Sequence, residues 1–361
     1  MYFLKNTCKL GQRFFHVSYL LEYTFPRKNS ILACGSKKKR MKIAVIILNY
    51  NGKSDTLACL ESLQTVVGDG YTTETIVVDN ASSDDSVARI REQFPEVTLL
   101  TNQQNLGFSE GNNVGIRHAF KTQADYILLL NNDTTVDGYF FREILEAEKT
   151  IGKSVVMGPK IYFSPGREFH KDRYKTEEQG NVIWYAGGKI DWDNVIASHR
   201  GVDEVDRGQY NELGKTQFVS GCALFAPRVI FETVGLFDMK LYLYYEDVDF
   251  CKRAQKKGYD LYYVPAAKLW HKNAASSGGS GSELQVYYQT RNRLLIGMRY
   301  APWKTKLALM REATLLLMSG TPTQRYAVGD FLRKKYGPRD TGTFKMPDFR
   351  RYLPGNTKKN P

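Results

Sequence analysis

Three apolar runs, each ending abruptly in amide or carboxyl side chains, restrict this chain more than any other feature. Ile43 to Leu48 (IAVIIL), Thr75 to Val78 (TIVV) and Tyr126 to Leu130 (YILLL) lack the alternation of half-exposed strands. Runs of this kind fit strands buried on both faces, as in a parallel sheet covered by helices. Beyond them lie Asn49, Asp79-Asn80 and Asn131-Asn132-Asp133. Ligands of open α/β sheets bind outside the carboxyl ends of the strands, so polar residues gathered there mark a candidate crevice.

Helical text separates the runs. Ser54 is the expected cap of a helix with Leu57, Leu60 and Leu63 as its apolar stripe. A second helix carries Val87 and Ile90, a short strand spans Val97 to Leu100, and a third helix runs from about Asn112 to Phe120. This alternation predicts an α/β fold with a mostly parallel sheet flanked by helices. After about residue 155 the text changes to short strands and Gly-rich turns, with a polar surface loop at 164–181. A helix over 247–257, a strand over 259–264 and a helix from Glu283 follow. Between the last two, Ala274 to Ser282 (AASSGGSGS) is too rich in Gly and Ser to pack densely.

Charge divides the chain. It holds 51 Lys and Arg against 38 Asp and Glu, a net charge of +13. Residues 1–40 carry 9 basic and 1 acidic side chain, and residues 301–361 carry 13 and 4, leaving 29 and 33 for 41–300. A nucleic-acid-binding protein usually places its positive charge on the folded body, so no nucleic-acid partner is expected. Basic ends suit an anionic membrane surface, or serve only solubility. Residues 307–318 (LALMREATLLLM), broken by Arg311 and Glu312, are too short to span a bilayer. They read as an interfacial helix or as one packed against the body. Met41 reads as the functional start, with 1–40 a basic extension. Five scattered cysteines without CxxC spacing argue against a disulfide framework or a thiolate metal site. The expected location is cytoplasmic, peripheral on the inner face of the membrane.

Neither a GxxxxGK[ST] loop nor a GxGxxG turn follows the first strand. A second polar cluster is Tyr244-Tyr245-Glu246-Asp247-Val248-Asp249. Three carboxylates in four residues are costly unless solvated, paired, set at a helix amino terminus or used in chemistry. His271 ends another strand-like run and is a candidate to join Asp133 around a divalent ion.

Further segments recur in fixed order: AVIILNYNG (44–52), IVVDNASSDDS (76–86), NLGFSEGNNVG (105–115), YILLLNNDT (126–134), AGGKID (186–191) and VSGCALF (219–225). GLFDMKLYLYYEDVDFCKRA (235–254), YYVPAAKLWHKNAASSG (262–278) and YYQTRNR (287–293) complete the series. Together they resemble family 2, GT-A-type, inverting glycosyltransferases, above all the rhamnosyltransferase-like and galactofuranosyltransferase-like branch, across residues 41–300.

The resemblance implies a GT-A fold, with a nucleotide-binding half at 41–135, an acceptor and catalytic half at 155–300, and a basic, partly helical extension at 301–361. It implies that Asn49 and Tyr50 line the nucleotide pocket and that Asp79 holds the base or ribose. Asn112, Asn132, Asp191, Arg291 and Arg293 would contact the donor, one of the two arginines through phosphate. Asn131-Asn132-Asp133 occupies the family's DxD position with Asn first, which leaves Asp133 and His271 to hold Mn²⁺ or Mg²⁺. Asp247 would be the catalytic base and Glu246 its neighbour in positioning. The implied activity is metal-dependent, inverting transfer of a sugar from a nucleotide-sugar, dTDP-rhamnose or a UDP-sugar. The acceptor would be a hydroxyl of a glycan or lipid-linked saccharide in surface polysaccharide synthesis. The alternative is a noncatalytic carbohydrate-binding or scaffold protein of the same fold.

Overall fold

A computed structural model of the chain describes residues 40–272 and 281–339. The described residues all belong to the compact unit that begins at Arg40. The basic segment 1–39, most of the Gly/Ser stretch and residues 340–361 lie outside the described residues. Four strands build the half of the sheet expected from the apolar runs: β1 (Met41–Asn49), β2 (Tyr71–Asp79), β3 (Thr98–Thr101) and β4 (Tyr126–Asn131). They are parallel and lie in the spatial order β3-β2-β1-β4. Ile43 to Ile47, Ile76 to Val78 and Ile127 to Leu129 are buried, which accounts for their unbroken apolarity. The register sets Asn49 beside Asp79 and Leu48 beside Asn131, so the polar ends share one edge.

The connections are helical: α1 (Lys53–Gln64), α2 (Ser86–Gln93) and α3 (Gly107–Lys121). Ser54 is not the cap of α1. Gly52 occupies that position without a side-chain bond, and Ser54 already lies in the first turn. The third helix starts five residues before the expected Asn112, at Gly107. There φ is +75°, and a Cβ would collide with the Tyr242 ring, so glycine answers both demands.

The second half of the molecule extends the same sheet. After β5 (Thr134–Val136), α4 (Phe140–Ile151) leads to β6 (Val156–Phe163) and β7 (Ile183–Tyr185). A separate hairpin, β8 (Gly188–Asp191) with β9 (Ile196–His199), precedes β10 (Gly214–Lys215), β11 (Ala223–Pro227) and α5 (Arg228–Val234). Then come α6 (Glu246–Lys256) and β12 (Leu261–His271). Among the described residues the full order is β10-β12-β6-β11-β4-β1-β2-β3, with β5 on β12 and β7 on β6. The sheet is mixed and mostly parallel, because its long strands β1, β2, β6 and β12 all have parallel partners, while β11 joins the halves antiparallel. The last strand runs seven residues beyond the expected end at 264. Pro265 sits in an irregularity between Val264 and Lys268, where a missing N–H does no harm, and pairing then resumes to His271.

Three helices close the described chain: α7 (Glu283–Tyr300), α8 (Trp303–Ser319) and α9 (Pro322–Leu332). Ser282 caps α7 by accepting from the Gln285 N–H, and Thr321 opens α9 with a capping box. The Tyr287 hydroxyl donates to Asp330 at 2.8 Å, pinning α7 to α9. The 307–318 segment thus lies in a helix that packs on the body through Thr305, Leu309 and Ala313. Among the described residues no helix is long and apolar enough to cross a membrane.

Candidate functional site

A cleft of about 1150 Å³ opens at the carboxyl edge of the parallel strands. Tyr50, Asn132, Asp133, Glu246, Asp247, His271 and Arg293 all line it. These residues span more than 240 positions of sequence, so strand pairing has to collect them.

Asp133 and His271 meet because β5 pairs with the end of β12, setting His271 against Thr134. The Lys272 N–H donates to the Asp133 carbonyl at 2.9 Å and fixes the same junction. One Asp133 carboxylate oxygen lies 3.1 Å from His271 Nε2, and both side chains are buried. Burial pushes the Asp133 carboxyl up, but the charge and hydrogen bond of His271 outweigh it and hold the group below its ordinary value. Burial likewise disfavours the imidazolium, yet the Cys222 sulfur and Asp133 carboxylate beside it raise His271 well above the usual histidine range. Nδ1 of His271 has no hydrogen-bond partner although it is buried. The rings of Trp184 and His199 wall this corner, Trp184 lying edge-on to His271 at 4.5 Å between centroids.

Among the described residues no three His, Cys, Asp or Glu side chains form a ready-made metal cage. A cation that takes most of its ligands from phosphate and water needs only one or two protein donors. The buried Asp133 carboxylate and His271 Nε2, 3.1 Å apart, fit that requirement once the nitrogen has given up its proton.

Asp247 and Glu246 form the first turn of α6, where the partial positive charge of the helix terminus favours acids. The Asp247 carboxylate accepts from the Gly221 N–H at 2.9 Å and the Val248 N–H at 2.8 Å. Gly221 is next to Cys222, whose carbonyl accepts from the Asn131 N–H at 2.9 Å, so a short hydrogen-bonded path joins the two acid clusters. Burial raises the Asp247 carboxyl above its ordinary value despite these donors. Glu246 is raised further, first by burial and then by the charge of Asp247, and its Oε2 has no partner. Asp249 turns away into an ionic network with Arg253, Arg299 and Tyr300.

Five expected donor residues do not line the cleft. Asn49 is buried behind it, donating to Asp79, Ser82 and Ser86 while accepting from Thr56. Asp79 also accepts from the Ser82 N–H and so braces the turn after β2. Asn112 lies inside α3 and donates to the Phe108 carbonyl. Asp191 is exposed at the β8–β9 turn, where its carboxylate accepts from Asp193 and Asn194. Arg291 is fully buried, and its guanidinium is committed to the carbonyls of Lys240, Leu241 and Gly337, so the expected phosphate contact is corrected to a structural role. Arg293 does reach the cleft wall, paired with Glu312 at 2.6 Å.

Sequence reasoning missed Asn80, Tyr242, Trp184, His199, Cys222 and Asn292. Asn80 carried the same strand-end signal as Asp79 and is the one that lines the cleft. Trp184 and His199 come from two short strands with no local pattern to connect them. Asn292 sits in the YYQTRNR segment and donates to the carbonyls of Leu241, Leu243 and Tyr244 within 2.9 Å. The loop it grips is strained: Tyr242, Tyr244 and Tyr245 have φ of 65°, 70° and 70°.

A mixed sheet with this strand order and a polar cleft at its carboxyl edge is the GT-A-like architecture of sugar transferases. The chain matches the family described as Glycosyl transferase family 2 over residues 44–234, more than half its length, and it belongs to that family. It is 23% identical over 254 residues to a low-salt glycan biosynthesis hexosyltransferase, Agl10, of Haloferax volcanii, covering 70% of this chain and 74% of that protein. It is 24% identical to the galactofuranosyltransferase GlfT2 of Mycolicibacterium smegmatis over 89% of this chain, and spans 53% of that protein's length. It is also 24% identical to an N-acetylglucosaminyl-diphospho-decaprenol L-rhamnosyltransferase of Mycobacterium tuberculosis, covering 68% of this chain and 81% of that one. Among solved structures, GalNAc-T7 with UDP, GalNAc and Mn²⁺ superposes with a TM-score of 0.51 at 16% identity, over 71% of this chain and 52% of the other. That likeness is one of fold.

Proposed function

We propose that this family 2 chain transfers a sugar, with inversion, from a nucleotide-sugar such as dTDP-rhamnose or a UDP-sugar. The acceptor is a hydroxyl of a glycan or lipid-linked saccharide used in surface polysaccharide synthesis. The observation that carries the reading is the sharing of one cleft by Asp247 and the Asp133–His271 pair. The rhamnosyl- and galactofuranosyl-transferring relatives support the branch.

In this reading Asp133 and His271 would hold Mn²⁺ or Mg²⁺. The cation supplies positive charge where a nucleoside diphosphate leaves. Tyr50, Asn80 and Asn132 border the nucleotide, and Asn49 and Asp79 brace that border from behind. Arg293, paired with Glu312 on the cleft wall, is the arginine left to meet a donor phosphate. Asp247 accepts the proton of the acceptor hydroxyl as its oxygen attacks the anomeric carbon from the face opposite the diphosphate. One C–O bond forms, one breaks, and the departing diphosphate takes the bonding pair. Burial makes Asp247 a stronger base than a solvated aspartate, while its two backbone donors keep it aimed. Glu246 shapes the acceptor side.

The test is turnover of a nucleotide-sugar panel by the full chain with Mn²⁺, with and without saccharide acceptors. Acceptor-dependent release of nucleoside diphosphate is expected. Donor binding without turnover across the panel would return the chain to the carbohydrate-binding alternative, and faster release with water or phosphate than with any sugar would make it a hydrolase or phosphorylase.

A further inference from the structure

α8 has two unlike sides. Thr305, Leu309 and Ala313 are buried against the body. The opposite side exposes four large apolar residues, Trp303 (67%), Leu307 (63%), Leu315 (53%) and Met318 (73%). At 3.6 residues per turn these four fall within an arc of about 120°. Lys304 and Arg311 are exposed within the same arc, and Lys304 lies 5.9 Å from the centre of the Trp303 ring. A solvated helix face has no use for four such side chains along one stripe. An aromatic, aliphatic and cationic face is the pattern of helices that lie in the headgroup region of a bilayer.

Charge selects the kind of bilayer. Residues 301–361 carry 13 basic and 4 acidic side chains, against a slightly acidic body of 29 and 33. Basic segments next to an apolar stripe gain affinity from anionic headgroups and nothing comparable from neutral ones. Position adds a consequence. Glu312 and Leu316, on the neighbouring edge of α8, line the cleft. A surface engaged by the stripe therefore lies beside the cleft mouth.

We propose that the Trp303–Leu307–Leu315–Met318 face of α8 docks this protein on an anionic lipid surface. The docking stands on the helix face and the basic charge around it, whatever the cleft does. Its use, delivery of a lipid-linked acceptor to the cleft, rests on the transferase reading above.

The experiment is flotation of the full chain with phosphatidylcholine vesicles, with and without phosphatidylglycerol, alongside a nucleotide thermal shift that reports the cleft separately. The wild-type chain is expected to float with anionic vesicles only. Trp303→Ser/Leu307→Gln/Met318→Gln is expected to lower that partition by about tenfold or more, with the nucleotide shift and the melting temperature retained. Lys304→Glu/Arg311→Glu is expected to lower it as well, while leaving the apolar stripe intact. Because the basic ends remain in every variant, vesicle binding unchanged by the triple substitution would overturn the proposal. Equal binding to neutral vesicles would overturn it too, as would a concentration-dependent dimer that the triple variant abolishes, which would make the face an interface between copies. Loss of the nucleotide response with vesicle binding intact would count against the transferase reading alone.

Discussion

His271 places Nε2 3.1 Å from an Asp133 carboxylate oxygen while its other ring nitrogen is buried without a partner. The pair is a buried acid and base, each holding the other in its charged form. Its titration runs in opposite directions on the two sides. The raised imidazole contributes stability fully below its ordinary 6.5 and loses it as pH climbs through the folded value. The lowered carboxyl contributes above its ordinary 3.8 and loses its share as pH falls. Without cation, the pair therefore helps most between these limits.

Cation binding needs the neutral imidazole, so it must displace a proton that the pair retains at neutral pH. Stabilisation by Mn²⁺ with a nucleoside diphosphate is expected to grow as pH rises above the ordinary histidine value of 6.5. In His271→Gln that growth should flatten. Thermal shift at a series of pH values checks it, and an unchanged slope in the variant would remove His271 from the cation site.

Asp247→Asn keeps the volume and one backbone hydrogen bond but cannot take a proton. Transfer is expected to fall by about 10²–10⁴-fold, the usual share of a general base. Donor affinity should stay within about twofold, since the change touches no group assigned to the nucleotide. Steady-state kinetics beside equilibrium donor binding separates the two effects.

Glu246 is a buried acid whose folded-state pKa lies well above the ordinary 4.5. The folded chain keeps this proton after the unfolded chain has lost it, so stability falls as pH rises from 4.5 toward the folded value. Glu246→Gln removes the charge that burial disfavours. A gain of about 1 kcal/mol or more at pH near 8, with little change near pH 4, is expected from denaturant melts. Transfer should decline in the same variant, the ordinary exchange of function for stability at a site.

Asn292 secures three carbonyls of the loop that presents Glu246 and Asp247. Three tyrosines there adopt a left-handed backbone, at about 1–2 kcal/mol each for residues with a Cβ. Asn292→Ala leaves the strain and removes its restraint. A loss of about 2–4 kcal/mol in stability is expected, with kcat reduced far more than the donor KM is altered. A variant that loses stability but keeps kcat would show that the clamp serves the fold alone.

The apolar runs IAVIIL, TIVV and YILLL determined the parallel half of the sheet by themselves. Strands buried on both faces have no other way to be written, and the polar residues that stop them mark the edge where a cleft forms. The Glu246-Asp247 turn was legible for a similar reason: acids concentrated at a helix start reveal themselves in four residues.

Residue type and resemblance pointed to the Asp133–His271 pair, but the contact that brings it together, and the choice of the other polar groups that face the cleft, were beyond the reach of local pattern. Asp79 and Asn80 are adjacent and similar in size, yet Asp79, the last residue of β2, is held by Asn49 and the Ser82 N–H, and Asn80 is the one that lines the cleft. Arg291 and Arg293 carry the same charge two residues apart on α7, and the packing of that helix buries one on backbone carbonyls while the other reaches the cleft wall. His271 met Asp133 only because β12 continued past Pro265 to pair with β5. Local pattern specifies which residues are buried and where elements stop. Which polar groups then face one another is decided by strand register and helix packing, set by contacts 30 to 138 residues apart, from Asn49–Asp79 to Asp133–His271.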